Sequence, residues 1–231
     1  MFRYMLGGGN FQSYIISMLL TLPIILLSLS LHECAHGYVA YKLGDPTARN
    51  LGRLTLNPVK HLDPVGFVCM LLAGFGWARP VPINTRNLRN PRRDTALSAL
   101  GGPVSNLLLS IVFVLLLRFV SYGWLLRQVY TSTLTYNLAY YTTLFLYYGA
   151  YMNVTLAVFN LIPVPPLDGS RILFLLLPPR LYFKLAPYER YITIAIMLLL
   201  LVGPLSDLIG LLTRLILKGL FAATGMAGFL I

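Results

Sequence analysis

Residues 26–45, LLSLSLHECAHGYVAYKLGD, place His32, Glu33 and His36 at the end of an apolar run that carries no charge after Arg3. Side chains four apart share one face of a helix, so the two imidazoles can converge on a single metal ion. Glu33, beside the first of them, can take a proton from a water held there. H-E-x-x-H alone arises by chance, and its setting is what sharpens it. A charge at the centre of a membrane helix costs roughly 2.5–3.5 kcal/mol on insertion scales, so ionisable groups at that depth call for a partner or a function. The bland alternative is a pair of histidines packed in a helix bundle.

The composition supports membrane depth. Of the 231 residues, 57% are hydrophobic and 11% charged, and the mean hydropathy is +0.73. A soluble domain carries about 25% charge. The fold class expected is an all-α polytopic membrane protein of about five to six transmembrane helices, each needing about 20 apolar residues. No signal-peptide pattern stands at the start. A net charge of +11 would suggest nucleic acid in a soluble protein, but here the arginines lie on loops between apolar runs, as the positive-inside rule expects. Nucleic acid is therefore not an expected partner. Cys34 and Cys69 form no C-x-x-C pair, and Cys34 falls on roughly the opposite helix face from His32.

Residues 1–10 read as a mobile Gly-rich lead. Phe11 to about Leu43 reads as the first span, with Pro23 a point of kinking. Gly44–Pro64 reads as a loop with one or two short strands around Arg53–Leu56, and His61 within it as a solvated loop histidine. Val65–Ala78 is short for a span and reads as a short or re-entrant helix. Arg79–Arg93 has five arginines and no acid. It reads as a non-helical cytoplasmic loop whose role is topological. Asp94 to about Val120 is the second span. Within it Gly101, Gly102 and Pro103 are expected to interrupt the helix, with packing of small residues as the alternative for the glycines. Asn106 is read as facing a cavity.

Ser121–Tyr136, with Arg127, is an aromatic and polar connection, and Asn137–Leu161 a third span whose tyrosines suit an interfacial belt. Pro163, Pro165 and Pro166 then forbid a regular helix, so residues 160–167 are expected to run extended. Asp168 opens a new helical run and, taken alone, is most simply an N-cap. It is also the only acid between Asp94 and Glu189, and a catalytic zinc commonly has three protein ligands. Asp168 is therefore the strongest candidate for the third. Tyr191–Val202 and Leu205–Leu217 are two further apolar segments broken at Gly203-Pro204, read as a helical hairpin over about residues 189–218. The charge on residues 42–60 and 79–93 puts the N-terminus outside and opens the metal site toward the cytoplasm.

HECAH at 32–36 followed by NLIPVPPLDG at 160–169 resembles the two signatures of the site-2 protease family of intramembrane zinc metalloproteases, H-E-x-x-H and N-x-x-P-x-P-x-L-D-G. The resemblance runs through GGPVSN at 101–106 and covers about residues 15–175. It implies a single metalloprotease domain over residues 1–231, in the compact form with no PDZ-like insertion or CBS domain. It implies one zinc ion held by His32, His36 and Asp168, with Glu33 as general base and acid. Asn160, and with it Asn106, would hold substrate or polarise its carbonyl. The implied partners are a transmembrane protein substrate, the bilayer, and a regulatory membrane protein that selects substrates. An edge strand within residues 44–63 would hold the substrate by β-augmentation. The competing reading is a non-proteolytic zinc-binding scaffold or transporter, in which Glu33 has no task.

Overall fold

The structure, a computed structural model, describes residues 11–73, 76–122, 132–178, 184 and 186–226. The lead at residues 1–10 and most of the connection around Arg127 lie outside these. The long helices are α1 (Phe11–Lys42), α4 (Pro91–Tyr122), α5 (Thr133–Asn160) and α8 (Pro204–Ala223), joined by the shorter α2 (Thr47–Asn50), α3 (Pro64–Ala73), α6 (Asp168–Leu176) and α7 (Glu189–Val202). Among the described residues there is no strand, only one antiparallel bridge between Leu62 and Ala78.

Helix α1 rises about 48 Å at 1.5 Å per residue and continues through Pro23. Its hydroxyls do not compete with the helix, because Ser28 Oγ donates to the Ile24 carbonyl at 2.7 Å and Ser30 Oγ to that of Leu26 at 2.6 Å. Among the described residues two helices are long and apolar enough to cross a membrane, over Ile15–Lys42 and Pro91–Tyr122. A third span is reached if α7 and α8, bent by 73° at their break, are taken as one. The expected five to six are not found among the described residues. Helix α5 has the length, but its tyrosines, threonines and asparagines dilute its apolar character.

Helix α4 is the central element, packing against α1, α5 and α6. It begins at Pro91, earlier than the sequence suggests, because the buried Asp94 carboxylate accepts from the Asn90 amide at 2.8 Å and closes the first turn. It also runs unbroken through Gly101, Gly102 and Pro103, so the expected interruption is absent. Its far half supplies Phe113, Val114 and Leu117 to a core completed by Leu146, Ala150 and Val154 of α5 and Leu217 and Phe221 of α8.

Residues 43–90 link the two spans on one side of the bundle. The expected strand around Arg53–Leu56 is absent: the segment is irregular, and the backbone amide of Arg53 instead pairs with the Ala48 carbonyl at 2.9 Å. His61 is not solvated. It is 1% exposed, its Nε2 bonded to the Thr55 carbonyl at 2.8 Å, and its own carbonyl takes the Arg79 amide at 2.7 Å. Helix α3 has ten residues, about 15 Å and half a bilayer core, and the Leu62–Ala78 bridge closes its excursion.

The fully buried Asp45 organises this connection. Its carboxylate accepts from the amide and hydroxyl of Thr47, the Asn84 amide at 2.7 Å and Asn87 Nδ2 at 2.8 Å. Burial alone would raise its pKa, but the hydrogen bonds from Thr47, Asn87 and Asn84 outweigh that and hold it below the ordinary 3.8. Asp45→Ala leaves buried donors unpartnered and is expected to cost about 1–3 kcal/mol, read as a lower thermal midpoint in detergent. A depressed folded pKa contributes stability that is complete above the unfolded value and lost as pH falls through the folded one. The advantage of the parent over Asp45→Asn should therefore hold above pH 3.8 and shrink below it.

Candidate metal centre

One turn of α1 separates His32 and His36, and their rings meet edge to face with centroids 4.5 Å apart. Their Nε2 atoms lie 3.0 Å from each other. Asp168 Oδ2, from the first residue of α6, lies 3.1 Å from both. The three donors thus form a nearly equilateral triangle.

The outer edges of the rings show what the inner edges must be. His36 Nδ1 donates to the Ser98 carbonyl at 2.7 Å, which leaves its Nε2 a lone pair. His32 Nδ1 meets Asn106 Oδ1 at 2.6 Å. The Asn106 amide is oriented by the next link, since its Nδ2 donates to Asn153 Oδ1 at 2.9 Å, and Asn153 Nδ2 donates to the Gly149 carbonyl at 2.8 Å. This relay makes Asn106 Oδ1 an acceptor, so His32 Nδ1 carries the proton and its Nε2 is also a lone pair. Two imidazole lone pairs and a carboxylate oxygen then converge at about hydrogen-bond distance. That arrangement suits a cation at their centre. A tetrahedral ion with bonds of about 2.0–2.1 Å spaces its ligands about 3.3 Å apart, close to the edges found here. Two histidines and a carboxylate with bonded outer nitrogens is a donor set that fits zinc.

Helix α4 makes the centre possible with residues four apart. Ser98, Gly102, Asn106 and Ser110 form one stripe, and Ser110 Oγ donates to the Ala150 carbonyl at 3.1 Å. A Cβ on Gly102 would lie 2.5 Å from His36 Nε2 and 2.6 Å from His32 Nε2. Only glycine lets α4 pass this close to the rings, so the glycines serve packing.

Asp168 is carried by a compact turn, where the sequence suggests an extended run. The Val164 amide bonds to Ile162 O at 2.8 Å and the Leu167 amide to Val164 O at 3.0 Å. Proline fixes φ near −65°, which suits a turn as well as an extended chain. Leu167, not Asp168, is the N-cap of α6, which leaves the carboxylate to face the histidines. A Cβ on Gly169 would lie 2.3 Å from the Leu161 carbonyl oxygen, so this glycine lets the turn fold onto its own helix start. At the other end of α6, Arg92 of α4 donates to the carbonyls of Phe174 and Leu177.

Glu33 Oε2 accepts the Val81 amide at 2.8 Å, and Oε1 has no protein partner among the described residues. The arginine-rich segment is therefore more than a topological signal. It holds Glu33, supplies Asn84 and Asn87 to Asp45, and caps α6 through Arg92. Asn160 lies in the last turn of α5, with its Nδ2 on the Leu156 carbonyl at 3.0 Å. Asn106 is fully buried with both amide ends bonded, which places it behind His32. Ser98, Asn153 and Val81 were not singled out from the sequence, and Gly102 was read as a helix interruption or packing glycine rather than as part of the site. Ser98 could have been, because with Gly102 it continues the four-residue spacing of Asn106. Asn153 and Val81 carry no such signal.

The profile of peptidase family M50 matches residues 20–203. The chain is 44% identical over 200 residues to a Bacillus subtilis protein named "Putative zinc metalloprotease YwhC", covering 86% of this chain and 87% of that one. It is 28% identical over 200 residues to "Putative zinc metalloprotease Rip2" of Mycolicibacterium smegmatis, covering 84% and 71%. No solved structure matches the chain.

Breaking the relay without touching a donor atom tests it. Asn153→Leu should weaken divalent-metal affinity about 10–100-fold, the usual cost of losing an outer partner, while helix content is retained. Gly102→Ala should abolish binding. Competition against a chromogenic chelator reads both.

Proposed function

The chain belongs to peptidase family M50, and we propose that it is a zinc-dependent endopeptidase that cuts transmembrane segments of membrane-anchored proteins. The observation that carries this reading is the convergence of His32 Nε2, His36 Nε2 and Asp168 Oδ2 at 3.0–3.1 Å on apolar helices. His32 and His36 lie ten and six residues before Lys42, roughly 15 and 9 Å from the end of α1. That position is within the hydrocarbon and nearer one face. The arginines and lysines of residues 42–93 make that face the cytoplasmic one, with the N-terminus outside. The chain is multi-pass, and α3 with its return is a re-entrant excursion from the same face.

Zinc held by His32, His36 and Asp168 would polarise the scissile carbonyl and lower the pKa of a coordinated water toward about 7. Glu33 acts on the protons. Its carboxylate takes one from the water as oxygen adds to the carbonyl carbon, and returns it to the amide nitrogen as the C–N bond breaks. The water's second proton, left on the new carboxyl, passes to the amine, so the products are a carboxylate and an ammonium group and Glu33 ends ionised as it began. The Val81 amide on Oε2 fixes the carboxylate while Oε1 stays available. Asn160 beside the Asp168 turn is the substrate-facing amide, able to hold a peptide carbonyl. Asn106 holds His32 to its tautomer. Backbone groups of a substrate helix are shielded, so the substrate is taken unwound, and a regulatory membrane protein selects it.

Glu33→Gln should retain about one zinc per chain while cleavage of a reconstituted membrane substrate falls at least 10³-fold, a loss on the scale expected for a general base. Asp168→Ala should lose the zinc. Metal content with a cleavage assay decides: turnover surviving in Glu33→Gln would remove Glu33 as the proton carrier, and a zinc-loaded parent that cleaves nothing would replace the peptidase by a zinc-binding scaffold.

A further inference from the structure

A second concave site lies in the connection between α1 and α4, lined in part by Pro80 and Pro82, which flank the Val81 that holds Glu33. It is a cavity of about 430 Å³ with Arg53, Lys60 and Arg79 in its wall beside Pro80 and Pro82. Arg53 is the anomaly in it. Its side chain sits in a residue only 9% exposed. Its Nη2 donates to the carbonyls of Arg79 at 2.8 Å and Pro80 at 3.3 Å, and its buried Nε has no partner. Among the described residues none of the three cations makes an ion pair. Burial and the neighbouring Arg79 charge both weaken the hold of Arg53 on its proton, while Glu33 acts the other way.

A buried guanidinium with an unmatched N–H and cations for neighbours calls for an anion. Arginine's planar fork suits a tetrahedral oxyanion, with lysine as a point charge beside it. The rim identifies the source. Leu51 and Val59, which also line the cavity, are 62% and 74% exposed, an arrangement costly in water and natural beside acyl chains. The segment joins the end of one candidate span at Lys42 to the start of the next at Pro91, which sets the cavity at headgroup level. We propose that this cavity binds the phosphate group of an anionic phospholipid, with Arg53, Lys60 and Arg79 on the phosphate and Leu51 and Val59 against the chains. The proposal rests on the membrane-spanning reading of α1 and α4 and not on peptidase activity.

The test uses the full chain in neutral detergent, with native mass spectrometry counting bound phosphatidylglycerol against phosphatidylcholine. Arg53→Gln and Lys60→Gln should each weaken retention of phosphatidylglycerol about fivefold or more, the worth of one cation near a membrane surface. Lys218→Gln, the same charge change on α8, should not. Arg53→Gln also removes the bonds to residues 79 and 80, so Lys60→Gln, whose side chain makes no described hydrogen bond, keeps the test independent of loop folding. Equal losses in Lys60→Gln and Lys218→Gln would overturn the proposal, as would unchanged retention in Lys60→Gln. Displacement of the lipid by millimolar inorganic phosphate would also overturn it, because the ligand would then be a free anion. None of these readouts depends on cleavage, so an inactive Glu33→Gln protein should bind the lipid as the parent does.

Discussion

Two hydrogen bonds on the far sides of the histidine rings, His36 Nδ1 to the Ser98 carbonyl and His32 Nδ1 to Asn106 Oδ1, decide what the near sides are. With both outer protons committed, the inner nitrogens are lone pairs facing a carboxylate. Rotating either ring would break a buried bond, which costs about 1–3 kcal/mol when its partner is left unmatched. The fold is arranged to make these two bonds. Helix α4 reaches the rings because Gly102 has no side chain, and α5 is tied in through Asn153 and Gly149. The compact proline turn and Arg92 set the two ends of α6, and so the position of Asp168. Each of the long polar links runs between helices far apart in sequence, which suits a bundle in an apolar medium where helix association gains little from burial alone.

The connection between the two candidate spans does for Glu33 what α4 does for the histidines. Asp45 gathers Thr47, Asn84 and Asn87, and Arg53 holds the carbonyls of residues 79 and 80. Val81, between two prolines that have no N–H, then presents a single amide donor to the carboxylate. The metal donors stand on rigid helices. The Glu33 carboxylate is oriented by a loop that is itself pinned at both ends, and its other oxygen has no protein partner among the described residues.

The sequence carried the trio of donors that the structure brings together, because its information is local. His32 and His36 are one helical turn apart, and the scarcity of acids left Asp168 conspicuous. The long helices were legible for the same reason, within a few residues at each end except for α8, which runs six residues past the expected Leu217. What failed was the reading of residues whose meaning is set from a distance. Gly101 and Gly102 look like helix breakers until α1 is laid against them. Three prolines fix φ without choosing between a turn and an extended chain. His61 is polar and flanked by turn residues, yet the returning chain at Arg79 buries it. Asn153 looks like any asparagine in a tyrosine-rich helix, because its role exists only once Asn106 has been brought opposite it. The strand around Arg53–Leu56 was a pattern of alternation with no neighbouring strand to receive it.

Charge accounting explains why this cluster is tolerable at its depth. The buried imidazoles are neutral when both Nε2 atoms are lone pairs, so the carboxylates of Asp168 and Glu33 are the net charge of the site. Two anions in a medium of low dielectric repel strongly and lose their hydration. A dication at the three donors brings the total to zero, and the cost of burial becomes that of a neutral assembly. Arg53 on the loop side acts favourably on Glu33 while its Nη2 bonds to backbone carbonyls, so it moderates the site without making an ion pair with it. The same accounting separates the two acids by task. Asp168, touching both histidines, would balance an ion held there. Glu33, one residue removed and held through a single oxygen, stands outside the triangle.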